Sequence, residues 1–266
     1  MKTTTVTFKD GIAIYGTFPN VWAEIAKHVG VQIPLTIADP PYGNIVNEEW
    51  DTIKVSDKDY SEQMIQWTRS IADLSCIGSA LYVWGGVGTP KFRPFLRYLV
   101  QVEHDTPYTL STPITWKKKR AYGIQWGYLF TREEVAYLIK GDHKEPRTFN
   151  IPLLDTKRGY AGYNAKYPAK SEYLRRSNVW DDVTEIMRGK THINQKPRRL
   201  CEIPIEVHTN EGEWVLDPFA GSGTTAHAAR HLNRRFVVVE QDKNNFERMV
   251  ASLRGEHVSP LNESHV

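Results

Sequence analysis

The chain has 266 residues, 40% of them hydrophobic and 11% aromatic, which is enough to build the core of one α/β domain with a small insert. No run approaches the roughly 18 consecutive apolar residues of a membrane helix, and the polar opening MKTTTVTFKDG lacks a signal-peptide core. The two distant cysteines, Cys76 and Cys201, form neither a disulfide framework nor a zinc signature, so a cytoplasmic protein without metal or membrane partner is expected. The net charge of +3 hides an asymmetry: Thr115 to Arg199 holds 19 Lys/Arg against 9 Asp/Glu, a surplus that suits a polyanionic partner on one face.

In chain order, Leu35-Thr36-Ile37-Ala38 reads as a buried strand halted by Asp39-Pro40-Pro41-Tyr42. Tyr60 to Leu74 carries Met64, Ile65, Ile71 and Leu74 at helical spacing. Ala80-Leu81-Tyr82-Val83-Trp84 before Gly85-Gly86 is a second buried strand. Ile114-Thr115-Trp116 is a third, running into Lys117-Lys118-Lys119-Arg120. Residues 141–190 are basic and rich in Tyr, Pro and Gly, with little periodicity. Beyond them the pattern sharpens: strand Trp214 to Leu216, a turn at Gly221-Ser222-Gly223, helix Thr224 to Leu232, strand Phe236 to Glu240 and helix Phe246 to Leu253. Strand, glycine turn, helix and strand make one βαβ unit of a parallel sheet. The expected division is 1–140, an insert over 141–190, 191–255 of the same domain, and a tail over 256–266.

Two stretches carry chemistry. Asp217-Pro218-Phe219-Ala220-Gly221-Ser222-Gly223-Thr224 lies where doubly wound sheets bind nucleotide-like ligands, beyond a strand's carboxyl end. Asp217 at that strand end suits an ammonium group. Glu240, at the tip of the next strand, suits the two hydroxyls of a ribose. The Gly-Lys-Ser/Thr ending of a phosphate loop is absent. Acids at successive strand tips fit a cationic, ribose-bearing ligand without phosphates, and S-adenosylmethionine is such a ligand. In the other stretch, the Asp39 carboxylate and the Pro40 carbonyl stand side by side on a rigid turn completed by Pro41. Such a pair of acceptors can grip both hydrogens of an amino group, while Tyr42 stacks on the ring that bears it.

Together these stretches resemble the β-class DNA amino-methyltransferases, in which Asp-Pro-Pro-Tyr precedes the glycine turn. The likeness extends to Gly78 through Trp84, to Ile114-Thr115-Trp116-Lys117-Lys118 followed by Glu133-Glu134, and to His192-Ile193-Asn194-Gln195-Lys196-Pro197. It spans roughly residues 35–140 and 178–253. Tyr15-Gly16-Thr17 stands where the family often has Gly-Asp, and Ile193-Asn194 replaces a Pro-Thr pair. The resemblance implies a mostly parallel seven-stranded sheet with one antiparallel edge strand, and places the strands before Asp39 and Asp217 side by side. It implies S-adenosylmethionine as methyl donor, with Asn194 and Lys196 helping to close its pocket. It also implies base flipping from double-stranded DNA, a bacterial or phage source, and a homodimer as further partner.

In that family the insert reads the target sequence. Here it offers Lys157, Arg158, Arg175 and Arg176 among several tyrosines, and Lys117, Lys118, Lys119 and Arg120 are expected to track phosphates. Adenine N6 is the favoured target, because the family's cytosine-N4 members more often carry Ser in place of Asp39. Cytosine N4 is the alternative. A catalytically silent DNA-binding subunit would be expected to have lost acids or glycines, and none is lost. An RNA substrate is a weaker reading.

Overall fold

In a computed structural model of the chain, residues 3–41, 56–85, 89–123, 126–158, 171–186 and 195–259 are described. Tyr42 and Asn194 lie outside them, as do most of the insert's tyrosines. Seventeen elements follow in order among the described residues: β1 Thr4–Phe8, β2 Gly11–Tyr15, α1 Trp22–Val29, β3 Ile33–Ala38, α2 Asp57–Leu74, β4 Ser75–Gly85, α3 Thr89–Asp105, β5 Tyr108–Tyr122, β6 Phe130–Lys140, β7 Leu153–Lys157, β8 Tyr173–Arg175, β9 Val179–Trp180, α4 Arg199–His208, β10 Trp214–Asp217, α5 Thr224–His231, β11 Arg235–Glu240 and α6 Lys243–Leu253.

Nine strands form one sheet in the order β1-β2-β11-β10-β3-β4-β6-β5-β9. The sheet is mostly parallel, as expected, with two strands more than seven: β1 is added antiparallel to β2 at one edge and β9 parallel to β5 at the other. Among the seven inner strands only β6 is reversed. It is not an edge strand, because it is antiparallel to both β4 and β5 and separates them. Direct succession of β5 and β6 in the chain allows that reversal, where parallel neighbours need a crossover. The insert is less irregular than its composition suggests, since β7 and β8 pair as a separate two-stranded sheet.

Because the inner strands are buried on both faces, alternate residues feed two cores. Ala80, Tyr82 and Trp84 of β4 pack with Val215, Phe236 and Val238 on the side of α4, α5 and α6. Leu81 and Val83 pack with Leu216, Val237 and Val239 on the side of α1, α2 and α3. Helix α2 shows why the local sequence folds as it does. Ser56 accepts from the Asp59 amide at 3.2 Å and the Asp59 carboxylate answers the Ser56 amide, closing a capping box. Its buried residues Tyr60, Met64, Trp67, Thr68, Ile71 and Leu74 recur on one face.

The pairing that matters most is β3 with β10, parallel in register Val215↔Leu35 and Leu216↔Thr36. From β3 the chain leaves through α2 on one face to reach β4, and from β10 through α5 on the other face to reach β11. This is the sheet's switch point, where a crevice opens beyond the strand tips. Leu35, fully buried in that pair, carries much of the stability of the seam. Replacing it with Ala is expected to cost about 2–5 kcal/mol in urea unfolding, whereas Val100→Ala on exposed α3 (74% accessible) should stay within about 0.5 kcal/mol.

Candidate active site at the switch point

The β3 tip presents Asp39 and Pro40, and α2 fixes their turn. The Tyr60 hydroxyl, on the first buried turn of α2, donates to the Pro41 carbonyl at 2.7 Å. Pro40 and Phe219 line one small pocket with Ala38, Met64, Trp67 and Val83. The two stretches picked out by their residue types, almost 180 residues apart in the chain, therefore meet. The Phe219 ring is pinned edge-on against Trp67, with centroids 4.8 Å apart.

Asp217 is 6% exposed and already committed on both oxygens. It accepts from the Phe219 amide at 3.0 Å and from the Thr225 hydroxyl at 2.5 Å. Burial pushes its carboxyl up to about 6, against those two donors. Glu240 accepts from the Gly221 amide at 2.7 Å and from the Asp242 amide at 2.7 Å, tying the glycine turn to the start of α6. Burial pushes its carboxyl up to about 7. Each carboxylate oxygen has a second lone pair, so these bonds shape the crevice without exhausting its acceptors. Gly221 and Gly223 take positive φ (50° and 79°). A Cβ at Gly223 would lie 2.7 Å from the Met249 side chain, so the close packing of turn and α6 depends on glycine there. Ser222 and Thr224 bond each other through their hydroxyls at 3.0 Å.

Lys196, which the resemblance assigns to the cofactor pocket, meets the β3 tip. Its ammonium forms a short ion pair with Asp39, lies 3.6 Å from Glu133 Oε2, and sits over the Trp84 ring at 4.6 Å from the centroid. Burial works against its charge, but Asp39 and Glu133 outweigh that and hold its pKa above the ordinary lysine value. Glu133 in turn pairs closely with Lys118, which lies over the Trp116 ring at 5.1 Å. Glu133 was visible in the sequence only as one of two acids after Trp-x-Lys, and its link to Asp39 through Lys196 was not.

The cations expected to meet DNA separate into two groups. Lys117, Lys119, Arg120, Lys157, Arg158 and Arg175 are exposed. Lys118 and Arg176 are drawn inward instead. Arg176 makes a bidentate pair with Asp182 (2.5 and 2.8 Å) and its side chain is only 6% exposed. Strands β5 and β6 run past Gly85, the end of β4, as a two-stranded arm in register Lys117↔Arg132 and Tyr122↔Phe130. At its tip Trp126 and Tyr128 are 89% and 97% exposed. The sequence reading passed over both. An aromatic pair beside a cationic strand was the available signal.

The family model described as DNA methylase matches residues 33–251. The chain belongs to the DNA methylase family. It is 54% identical over 230 residues to Type II methyltransferase M.HindIII of Haemophilus influenzae, covering 76% of this chain and 71% of that one. It is 28% identical over 222 residues to Type II methyltransferase M.HpaI of Haemophilus parainfluenzae, with 81% and 66% covered. The chain thus spans about two thirds of M.HpaI, and 48% of the Bacillus amyloliquefaciens methyltransferase M.BamHI. Among solved structures, the PvuII DNA methyltransferase (cytosine-N4-specific) aligns with a TM-score of 0.70 at 15% identity, covering 97% of this chain and 89% of that one. The complex of M1.HpyAVI with SAM gives 0.64 at 21%, covering 91% and 98%. The methylase fold is therefore shared well beyond recognisable sequence.

The buried acid at Glu240 gives a testable sign. Its folded pKa lies above the unfolded value, so the stability from holding the proton is fully present below about 4.5 and is lost as pH rises through about 7. Urea unfolding from pH 5 to 8 should show Glu240→Gln relieving that slope, a differential of up to about 3 kcal/mol. Parallel curves for the two proteins would contradict the burial argument.

Proposed function

We propose that this chain methylates the exocyclic amino group of a flipped DNA base, adenine N6 in the first place, using S-adenosylmethionine. One observation carries the reading: the Asp39 turn and the Asp217 glycine turn stand on the tips of two strands paired in parallel at the switch point. A methyl group passes between two pockets only if they adjoin, and the shared lining of Pro40 and Phe219 supports that.

The donor set suits S-adenosylmethionine. Two acceptor-only carboxylates, Asp217 and Glu240, end neighbouring strands around a turn with left-handed glycines. Asp217 would face the cationic methionine end and Glu240 the ribose hydroxyls, with Pro218, Phe219, Gly221, Ser222 and Gly223 forming the wall between them and Thr224 starting the helix behind it. When bound, the cofactor supplies an electrophilic methyl group on a sulfonium. The protein's own part is positioning. Asp39 and the Pro40 carbonyl accept the two amino hydrogens, which turns the nitrogen lone pair out of the ring. As the N–C bond forms, the nitrogen sheds a proton toward Asp39. Tyr60 keeps the turn in place through Pro41, and Tyr42 would stack on the base.

For DNA, the arm formed by β5 and β6 is the natural docking element, since a two-stranded ribbon fits the major groove. Lys117, Lys119 and Arg120 lie along it, and Trp126 and Tyr128 crown it. Lys157, Arg158 and Arg175, around the β7–β8 pair, form a second cationic patch. Lys118 and Arg176 are left out because each is drawn inward against an acid, whereas Lys157 stays at the surface with its partner Glu172 at 3.5 Å. A homodimer rests on the family resemblance alone.

Mapping modified bases in DNA from cells expressing the protein should show N6-methyladenine at one short sequence. N4-methylcytosine would move the assignment to the other base, and unmodified DNA would overturn it. Asp39→Ala should lower methyl transfer by about 10³-fold or more with cofactor affinity nearly unchanged. Replacing Lys117 and Lys119 by Ala should weaken binding equally on all sequences and lower the log–log salt slope by about 2. An unchanged slope would remove the arm from the interface.

A further inference from the structure

Four charged side chains stand in line from the catalytic turn to the base of the arm: Asp39, Lys196, Glu133 and Lys118. Two are cations and two are anions, so the cluster is neutral as a whole. Lys196 lies between the two acids and is bound unequally. It is in close contact with Asp39 Oδ2, while Glu133 Oε2 is 3.6 Å away, just past hydrogen-bond reach. Glu133 Oε2 is buried and accepts no hydrogen bond, although Glu133 Oε1 is held by Lys118. A buried carboxylate oxygen without a donor is costly, and a small movement of Lys196 would supply one. The Trp84 ring under the ammonium provides a face along which the charge stays stabilised between the two positions.

The same lysine occupies one oxygen of the carboxylate that the methylation reading assigns to the base. An amino group cannot donate to Asp39 Oδ2 along a direction that an ammonium already fills. We propose that Lys196 is a placeholder for the target amino group: it holds Asp39 while no base is bound, and passes to Glu133 Oε2 when the flipped base enters. The exchange conserves donors and acceptors. Asp39 trades an ammonium for an amino hydrogen, and Glu133 gains the bond it lacked. No charge leaves the cluster, so the site need not take up or expel an ion. Glu133 is thereby a positioning residue, acting on the base only through Lys196. The handover makes occupancy of Asp39 conditional on a ligand that brings its own donor, which a base lacking the amino group does not.

This inference rests on the reading of Asp39 as the amino-group acceptor, and its test separates the two. Once base mapping has fixed the target site, the probe is a duplex with 2-aminopurine beside the target adenine, whose fluorescence rises when that adenine leaves the stack. It is read without cofactor, alongside single-turnover methylation with it. Glu133→Gln removes the waiting charge, so Lys196 stays on Asp39. The fluorescence rise and the single-turnover rate should fall by about tenfold, while duplex affinity stays within about twofold. Adding Lys196→Met to Glu133→Gln removes the competitor and should restore the fluorescence rise. Lys196→Met alone should match or exceed wild type in the same signal. A merely structural role for Glu133 predicts the reverse, with the double variant no better than the single one. That result, or a wild-type signal from Glu133→Gln, would overturn the handover. Loss of methylation in Asp39→Ala together with absent rescue would sink the handover alone, whereas full activity in Asp39→Ala would sink the reading beneath it.

Discussion

The parallel pairing of β3 with β10 is the constraint on which the rest of the molecule depends. Two strands that are distant in sequence lie side by side, and each ends in a turn that carries acids or carbonyls. Their crossovers depart to opposite faces, the condition for a crevice beyond the tips. The proposed chemistry is arranged in that gap. Deep burial of Leu35, Val215 and Leu216 on both faces keeps the register from slipping, and a slip of one residue would reverse every side chain along the seam.

The acids at the strand tips do two jobs at once. Asp217 and Glu240 hold their own loops through amides and a hydroxyl, and still present lone pairs to the crevice. Their raised pKa values record the cost of keeping carboxylates in a nearly dry place. Desolvated, pre-ordered acceptors of this kind need little rearrangement when a cation or a hydroxyl arrives, which favours tight and oriented binding. The same economy governs Lys196, whose charge is tolerated because two acids and an indole ring surround it.

Strand β6 links this chemistry to the surface. By running antiparallel between β4 and β5 it comes down from the arm and carries Glu133 to the level of the Asp39 turn. The base of the arm is held from the side. The Trp116 indole donates to the Val183 carbonyl at 2.8 Å, and the Glu185 carboxylate accepts from the amides of Lys119 and Arg120. A contact at the tip, near Trp126 and Tyr128, thus has a two-stranded path, bulged between Lys117 and Tyr122, down to Glu133 and so to Lys196.

The sequence by itself determined the strands and helices on either side of each turn, because an apolar run halted by Asp-Pro-Pro and a glycine turn after another are local effects of sterics and backbone freedom. Helix α2 was legible through its apolar period, and the βαβ unit of β10, α5 and β11 through two apolar runs around a glycine turn. The hairpin β1–β2, helix α1 and helix α4 were not picked out, since short elements with mixed composition take their form from the sheet they join. Only the tertiary structure decided which cations are free. Lys118 and Arg176 look like surface charges in the chain and become half-buried partners of Glu133 and Asp182 in the fold. It alone decided that Lys196 meets Asp39 across 157 residues of chain, because an ion pair depends on distance in space, and sequence separation carries no measure of that.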